Sequence, residues 1–156
     1  MEYDIEVVRN ERTVGRRETM YICSLEKRCM ELWGKLVRRS GRCELCGDTS
    51  EIQAHHPFGR KGHWSIKFNP DLGVCLCMKC HIRLDKTLSD LLAELLPILL
   101  IKQPGRAALL QKTAREYKRF KSGRADFQAI RADLERFERE HSDGWMDPEP
   151  EYGRTV

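Results

Sequence analysis

The sequence predicts a small α+β domain in which a metal-binding strand–loop–strand–helix unit is flanked by helices. Two Cys-x-x-Cys motifs, at residues 43–46 and 77–80, enclose two short strand-like segments. Apolar residues recur at helical spacing before the first motif and again after the second. The 156 residues suffice for one domain or for a small module with helical attachments.

The N-terminal part predicts an arm followed by a helix. Residues 1–18 are charged, and we expect a solvated arm with a short strand at 3–8. A helix is expected over residues 19–39, ended by Gly41. Its apolar face carries Ile22, Leu25, Cys29, Leu32 and Leu36.

The central module follows in the order strand, loop, strand, helix. Residues 51–56 and 72–76 are apolar enough for two short strands. The segment 58–70 between them is polar and basic and is expected to be a loop. A helix is expected to begin at His81 and to run through Leu92.

The last third is predicted to be helical. Residues 106–121 and 124–141 fit an antiparallel hairpin that either docks on the core or forms a dimer seam. Residues 142–156 are acidic and lack periodicity, so we expect disorder there. The expected boundaries are 1–18 for the arm, 19–90 for the metal-binding domain with its lead-in helix, 91–141 for a helical extension and 142–156 for the tail.

Four of the seven cysteines indicate one structural metal site. These are Cys43, Cys46, Cys77 and Cys80. Thiolates suit Zn²⁺, and the two-residue separation lets both sulfurs of a motif reach one ion. Zinc held by four thiolates has no open position, so it stabilises the fold and does not catalyse. Cys23, Cys29 and Cys75 lack this spacing and are expected to be helix or core residues.

Composition narrows the class of protein. No apolar run reaches the roughly 18 residues that a membrane span needs, and no secretory signal pattern opens the chain. We therefore expect a cytoplasmic protein with no membrane association and with reduced thiols, which favours metal binding over disulfides. The 28 basic against 24 acidic residues give a net charge of +4, which permits a local nucleic-acid surface without requiring one.

Three histidines accompany the cysteine motifs: His55, His56 and His81. If His55 and His81 held a divalent ion, His56 would be placed to accept a proton from an attacking water. Neighbouring strand residues point to opposite sides. Both adjacent histidines therefore serve one site only if the strand bends or ends at Pro57.

The run Cys-x-x-Cys, His-His-Pro-Phe-Gly-Arg, Asn-Pro-Asp-Leu-Gly-Val-Cys-Leu-Cys-x-x-Cys-His resembles the HNH endonuclease family. It is most similar to small phage-type members with a zinc-binding cysteine quartet, over about residues 30–86. The resemblance implies a ββα-metal fold, hydrolysis of DNA phosphodiester bonds, and Mg²⁺ or another divalent cation; for a phage-encoded protein, the expected location is the cytosol of the bacterial host. By motif position, it implies that His56 is the general base and that His55 and His81 bind the catalytic ion.

One position departs from the family pattern. Members usually carry an asparagine five residues before the third cysteine, where this chain has Leu72. Either Asn69 holds the loop and orients the base from a shifted position, or the site is weakened. The alternative function is a zinc-stabilised module that binds DNA or assists recombination without cleaving it.

The expected partner is DNA, and a homodimer through the C-terminal helices is a further expectation. The candidate phosphate contacts are Arg60, Lys61, Lys67 and Lys79, each of which is equally compatible with plain surface. Trp64 is expected to anchor its loop on the core, with stacking on a base as the alternative. The N-terminal arm is an alternative DNA-reading element. A structural zinc protein that recruits partners through the C-terminal helices remains a further possibility.

Overall fold

The α+β class is confirmed in a computed structural model, which describes residues 4–58, 63–84, 87–117 and 125–142. In chain order the elements are α1 (Asp4–Val37), β1 (Ile52–His55), α2 (Trp64–Lys67), β2 (Val74–Cys77), α3 (Met78–Leu84), α4 (Leu88–Lys102), α5 (Pro104–Glu116) and α6 (Phe127–Glu140). Short 3-10 turns cover Arg38–Ser40 and Pro70–Leu72.

The two strands separate two apolar cores. β1 and β2 are antiparallel, with Ile52 opposite Cys77 and His55 opposite Val74. Because successive strand residues face opposite sides, Val74 and Leu76 belong to one core and Cys75 to the other. The first core lies against α3, α4 and α5, whereas the second lies against α1 and α6. Every residue of β2 is buried, as expected for a strand covered on both faces.

Helix α1 is longer than the sequence predicts. It begins at Asp4, so residues 4–18 form its first part, and neither the arm nor the strand at 3–8 is found in the described residues. Gly15 costs a helix about 1 kcal/mol relative to alanine, which is too little to stop its propagation from a packed segment. The predicted C-terminal stop is confirmed, since Gly41 is left-handed with φ of 66° and donates its N–H to the carbonyl of Arg38.

The helices of the central module also differ from the prediction. The helix after the second motif begins at Met78 and ends at Leu84, and it does not continue to Leu92. A new helix begins at Leu88, where the hydroxyl of Thr87 accepts the N–H of Asp90. The predicted loop 58–70 contains the single-turn helix α2.

The C-terminal helices do not form the predicted hairpin. Among the described residues, α5 packs on α4 and α6 packs on α1. The reason is that the apolar face of α6, with Phe127 and Leu134, is buried beside Cys29 and Trp33 in the second core. Neither α5 nor α6 therefore covers the other.

Helix α4 crosses the boundary expected at residues 90 and 91. This helix buries Leu91, Leu95 and Leu99 in the same core as Val74 and Leu84. It therefore packs in the first core together with β2 and α3, and does not form a separate extension. Within the described ranges, no helix combines the length and apolar character that crossing a bilayer requires.

Candidate metal centre and histidine site

The four predicted cysteines form one cluster, and their sulfur atoms all lie within 4.8 Å of one another. The Sγ of Cys46 is 3.7 Å from that of Cys77 and 3.7 Å from that of Cys80. Four sulfurs at about 2.3 Å from a tetrahedral zinc would be about 3.8 Å apart. The spacing of this cysteine cluster therefore fits a metal such as zinc.

The first cysteine motif is held in place by backbone hydrogen bonds. Gly47, with φ of 77°, lets the chain turn sharply, and its N–H is 2.9 Å from the carbonyl of Cys43. Cys43 in turn donates to the carbonyl of Asp48 at 2.7 Å. Glu44 donates its N–H to Cys75 at 2.9 Å, which ties the motif to β2 and so to the second motif.

A buried ion pair reinforces this attachment. The Glu44 carboxylate accepts the N–H of Cys75 at 2.7 Å and the guanidinium of Arg106 at 2.6 Å. Arg106, 3% exposed, also donates to the carbonyls of Asp71 and Gly73. One α5 side chain thus joins the first motif to the segment that leads into β2. The sequence gives little indication of this ion pair, because Glu44 and Arg106 are 62 positions apart.

The four thiols ionise unequally. Burial opposes ionisation of Cys43, but N–H groups of Cys46, Cys77 and Leu45 donate towards its sulfur and lower its pKa to about 7. Burial raises the pKa of Cys80 to about 12, and hydrogen bonding with the thiols of Cys46 and Cys77 adds to the increase. A divalent cation would offset the charge of four thiolates packed this closely.

His55 and His81 are brought together. His55 is 8% exposed and lies opposite Val74 at the end of β1, on the face that α3 covers. His81 lies in α3, four residues beyond Cys77, and its ring centroid is 4.9 Å from that of His55 at an interplanar angle of 77°. The cysteine cluster therefore fixes the start of the helix that carries one of the two predicted metal ligands.

His56 lies on the other side of the sheet, against α1. Its ring stacks on Trp33 with centroids 3.6 Å apart and an interplanar angle of 5°. β1 ends at His55, so the alternation of strand side chains sends the two neighbouring histidines to opposite faces. Thus the structure pairs His55 with His81 and places His56 on Trp33, a contact that the sequence does not indicate.

Asn69 stabilises its own loop. Its Oδ1 accepts the N–H of Asp71 at 2.9 Å and so caps the 3-10 turn Pro70–Leu72. Its carbonyl oxygen accepts the indole N–H of Trp33 at 3.3 Å. Leu72 is 3% exposed and packs in the first core, so it takes no part in a polar site.

The candidate DNA contacts differ in their surroundings. Lys79 is exposed on α3. Lys67 is largely buried, pairs with Glu26 at 3.3 Å and lies over the rings of Trp64 and Phe68, so its ammonium group already serves the fold. Arg60 and Lys61 lie outside the described residues.

The expectations for the other three cysteines and for Trp64 are confirmed, whereas Ile22, predicted on the apolar face of α1, is 40% exposed. Cys29 and Cys75 are buried and Cys23 is exposed on α1, so none belongs to the cysteine cluster. Trp64 anchors its segment on the second core, with its ring 5.3 Å from that of Phe127.

Comparisons of the chain with protein-family models, with curated proteins and with solved structures found no match. The HNH resemblance therefore depends on the motifs alone. What the structure establishes is a small α+β fold with a four-cysteine cluster that could hold a metal such as zinc.

Proposed function

We propose that the chain is a metal-dependent DNA endonuclease of the HNH type, with a structural zinc in the cysteine cluster. The observation that carries the proposal is the 4.9 Å approach of the His55 and His81 rings at the junction of β1 and α3. The order β1, β2, α3, with α3 against both strands, supports a ββα-metal arrangement.

His55 and His81 would hold the catalytic ion, and its open positions would take water and a phosphate oxygen. Imidazole suits Ni²⁺ or Zn²⁺ better than Mg²⁺ or Mn²⁺, which prefer oxygen ligands. Such an ion offsets charge on the phosphate and lowers the pKa of bound water. The resemblance assigns the general base to His56, which stacks on Trp33 across the sheet from the histidine pair. In this scheme its ring reaches the attacking water past the end of β1, and Asn69 fixes the loop behind it. Lys79 would contact the DNA backbone.

Leu72 favours a second candidate function, a zinc-stabilised DNA-binding module that does not cleave. Its burial means that the position where the family carries asparagine serves packing in this chain. Binding without cleavage would then depend on the fold that the zinc-loaded cysteine cluster stabilises and on exposed cations such as Lys79.

A plasmid-relaxation assay separates the two functions. Purified zinc-loaded protein would be incubated with supercoiled DNA and Mg²⁺, Mn²⁺ or Ni²⁺, alongside H55A, H56A and H81A. His141→Ala is the matched control, because His141 stacks on Phe137 in α6 and is far in the sequence from both motifs. Zinc content and circular dichroism would show that each variant is folded.

The endonuclease proposal predicts nicking by the wild type and by H141A, with loss of activity in H55A, H56A and H81A. DNA binding without nicking under every metal would overturn it in favour of the binding module. If H56A alone nicked like the wild type, the assignment of His56 as the base would fail while the metal site stood. Failure to bind DNA at low salt would overturn both functions.

A further inference from the structure

A cavity of about 1190 Å³ lies away from the histidine pair. It is bounded by the end of α1, the first cysteine motif, the junction of α4 and α5, and the end of α6. Apolar walls come from Leu36, Leu45, Ile98 and Ile101. Ile101 at the rim is 86% exposed, which leaves apolar surface uncovered by the described residues. The volume is somewhat above the range of about 300–1,000 Å³ that is typical of small-molecule pockets.

The cavity is also basic. Two of its cations have carboxylate partners, since Lys35 pairs with Glu138 and Arg106 pairs with Glu44. Arg42 and Lys102 also line it, and neither forms an ion pair with a described residue. An occupant should therefore combine apolar groups with negative charge.

The chain itself supplies a segment of that chemistry. His141 and Ser142 line the cavity, and residues 143–156 follow directly. This segment contains Trp145 and Met146, then alternating acids and prolines, and only one basic residue. Its acids are Asp143, Asp147, Glu149 and Glu151. Trp145 is three residues beyond Ser142, a reach of up to about 10 Å in extended chain.

We propose that residues 143–156 bind in this cavity of their own chain, with Trp145 on the apolar walls and the acids near Arg42 and Lys102. Attachment at Ser142 gives the segment an effective concentration in the millimolar range, so weak contacts suffice. Pro148 and Pro150 restrict its backbone and reduce the entropy lost on binding. A buried tryptophan is also among the strongest anchors for an interface. Docking of this kind does not depend on nuclease activity.

The test uses the fluorescence of Trp145 in the full-length protein. Subtracting the spectrum of the W145F variant from that of the wild type isolates this residue from Trp33 and Trp64. A synthetic peptide of residues 143–156 provides the solvent-exposed reference. We expect a blue-shifted Trp145 component that acrylamide quenches several-fold less than the peptide. Emission and quenching equal to those of the peptide would overturn the proposal.

Cavity variants then locate the contact. Ile101→Asp and the double variant R42E/K102E alter exposed residues, so both should fold, as circular dichroism would check. Each should shift the Trp145 component towards that of the peptide. The matched controls are Ile82→Asp, at a site 66% exposed on α3, and K27E/R28E, which removes the same charge from α1. A Trp145 component that stays protected in both cavity variants would show that the segment binds elsewhere, and the proposal would fail.

The same cavity could instead be filled by residues 143–156 of a second copy of the chain, and the protein's concentration dependence distinguishes the two cases. Docking within one chain predicts Trp145 protection that is independent of protein concentration and a monomer in sedimentation velocity. Protection that appears only with dimer formation would replace the proposal with exchange of this segment between two chains.

Discussion

The imidazole of His56 lies flat on the indole of Trp33, with ring centroids 3.6 Å apart and planes inclined by 5°. The same indole donates its Nε1–H to the carbonyl oxygen of Asn69 at 3.3 Å. Helix α1 therefore fixes both the residue that follows β1 and the loop that precedes β2. Trp33 is 2% exposed, so core packing sets this geometry.

Replacing Trp33 should impair nicking without removing any group that touches DNA. In the proposed reaction, Trp33→Leu leaves His56 without its aromatic support, and a displacement of about 1 Å can cost on the order of 10²-fold in rate. Trp33→Phe keeps an aromatic face and should recover most of that loss. The measurement is the nicking rate at saturating DNA, so that a loss in turnover is separated from a loss in binding.

Stability needs a separate control in this experiment, because shortening a buried tryptophan also destabilises the core. Rates would be compared only at temperatures where circular dichroism shows each variant to be folded and where zinc content is unchanged. A folded Trp33→Leu variant that nicks at the wild-type rate would rule out the positioning role.

The sequence predicts the cysteine cluster well because the pattern that indicates it lies within short segments of the chain. Two-residue spacing within each cysteine motif nearly determines where both sulfurs point, so the cysteine cluster follows from Cys43, Cys46, Cys77 and Cys80 directly. The histidines are less well predicted: the sequence assigns His55, His56 and His81 to one site, whereas His56 diverges from the other two at the end of β1, as simple strand alternation would have it.

The parts that sequence reasoning misses depend on contacts between distant segments. The pairing of Glu44 with Arg106 spans 62 positions, and Trp33 is 36 positions from Asn69. Periodicity shows that a helix has an apolar face but not which surface covers it, so the docking of α6 on α1 could not be foreseen.

Loss of one cysteine ligand should abolish tight zinc binding and destabilise the fold. Cys46→Ser removes a thiolate from the cysteine cluster, and a structural zinc adds folding free energy because it binds the folded cluster. We expect the variant to contain no stoichiometric zinc and to unfold at a lower temperature than the wild type, while its two apolar cores keep it folded at room temperature. Cys23→Ser, at an exposed position outside the cysteine cluster, is the matched control and should keep both. Metal analysis and calorimetry provide the measurements, and an unchanged melting curve for zinc-free protein would contradict the structural role.

Zinc affinity should fall as the pH falls. In the metal-free protein, the pKa of Cys80 is raised to about 12, so this group is a thiol at neutral pH and must lose its proton on binding. The pKa of Cys43 is lowered to about 7, so this thiol contributes a further proton mainly below that pH. Each proton released weakens apparent affinity about tenfold per pH unit of acidification.

Isothermal titration of zinc in buffers of different ionisation enthalpy measures these protons directly. More protons should be released at about pH 6 than at about pH 8, because Cys43 is protonated in the more acidic sample. Equal release at the two pH values would contradict the lowered pKa of Cys43.

Breaking the Glu44–Arg106 pair should lower the free energy of unfolding far more than breaking an exposed ion pair. Arg106→Met leaves a largely buried carboxylate without its guanidinium, at a cost of about 3 kcal/mol, the low end of the range for buried pairs. The double variant E44M/R106M removes both charges and should recover part of that loss. Arg136→Met, which breaks exposed pairs with Asp133 and Glu140 on α6, is the control and should change stability by less than about 1 kcal/mol. Urea unfolding with saturating zinc measures the free energy of unfolding of each variant. Equal losses in Arg106→Met and Arg136→Met would contradict the stabilising role of the Glu44–Arg106 pair.

Gly73 should be intolerant of a side chain for reasons of space, since its φ of −78° is accessible to any residue. A Cβ there would lie 2.8 Å from Cζ2 of Trp33 and closer still to Cγ2 of Val37. Gly73→Ala should therefore push β2 away from α1 and destabilise the fold by about 1–3 kcal/mol.

Gly15→Ala is the control. It lies in α1 with nothing within 4 Å of its Cβ position, so it should instead raise stability by up to about 1 kcal/mol. In G73A/V37A, removal of the closest methyl groups should make the loss smaller than the sum of the two single changes, as thermal melts would show. Strictly additive losses would mean that the approach of β2 to Val37 does not limit this position.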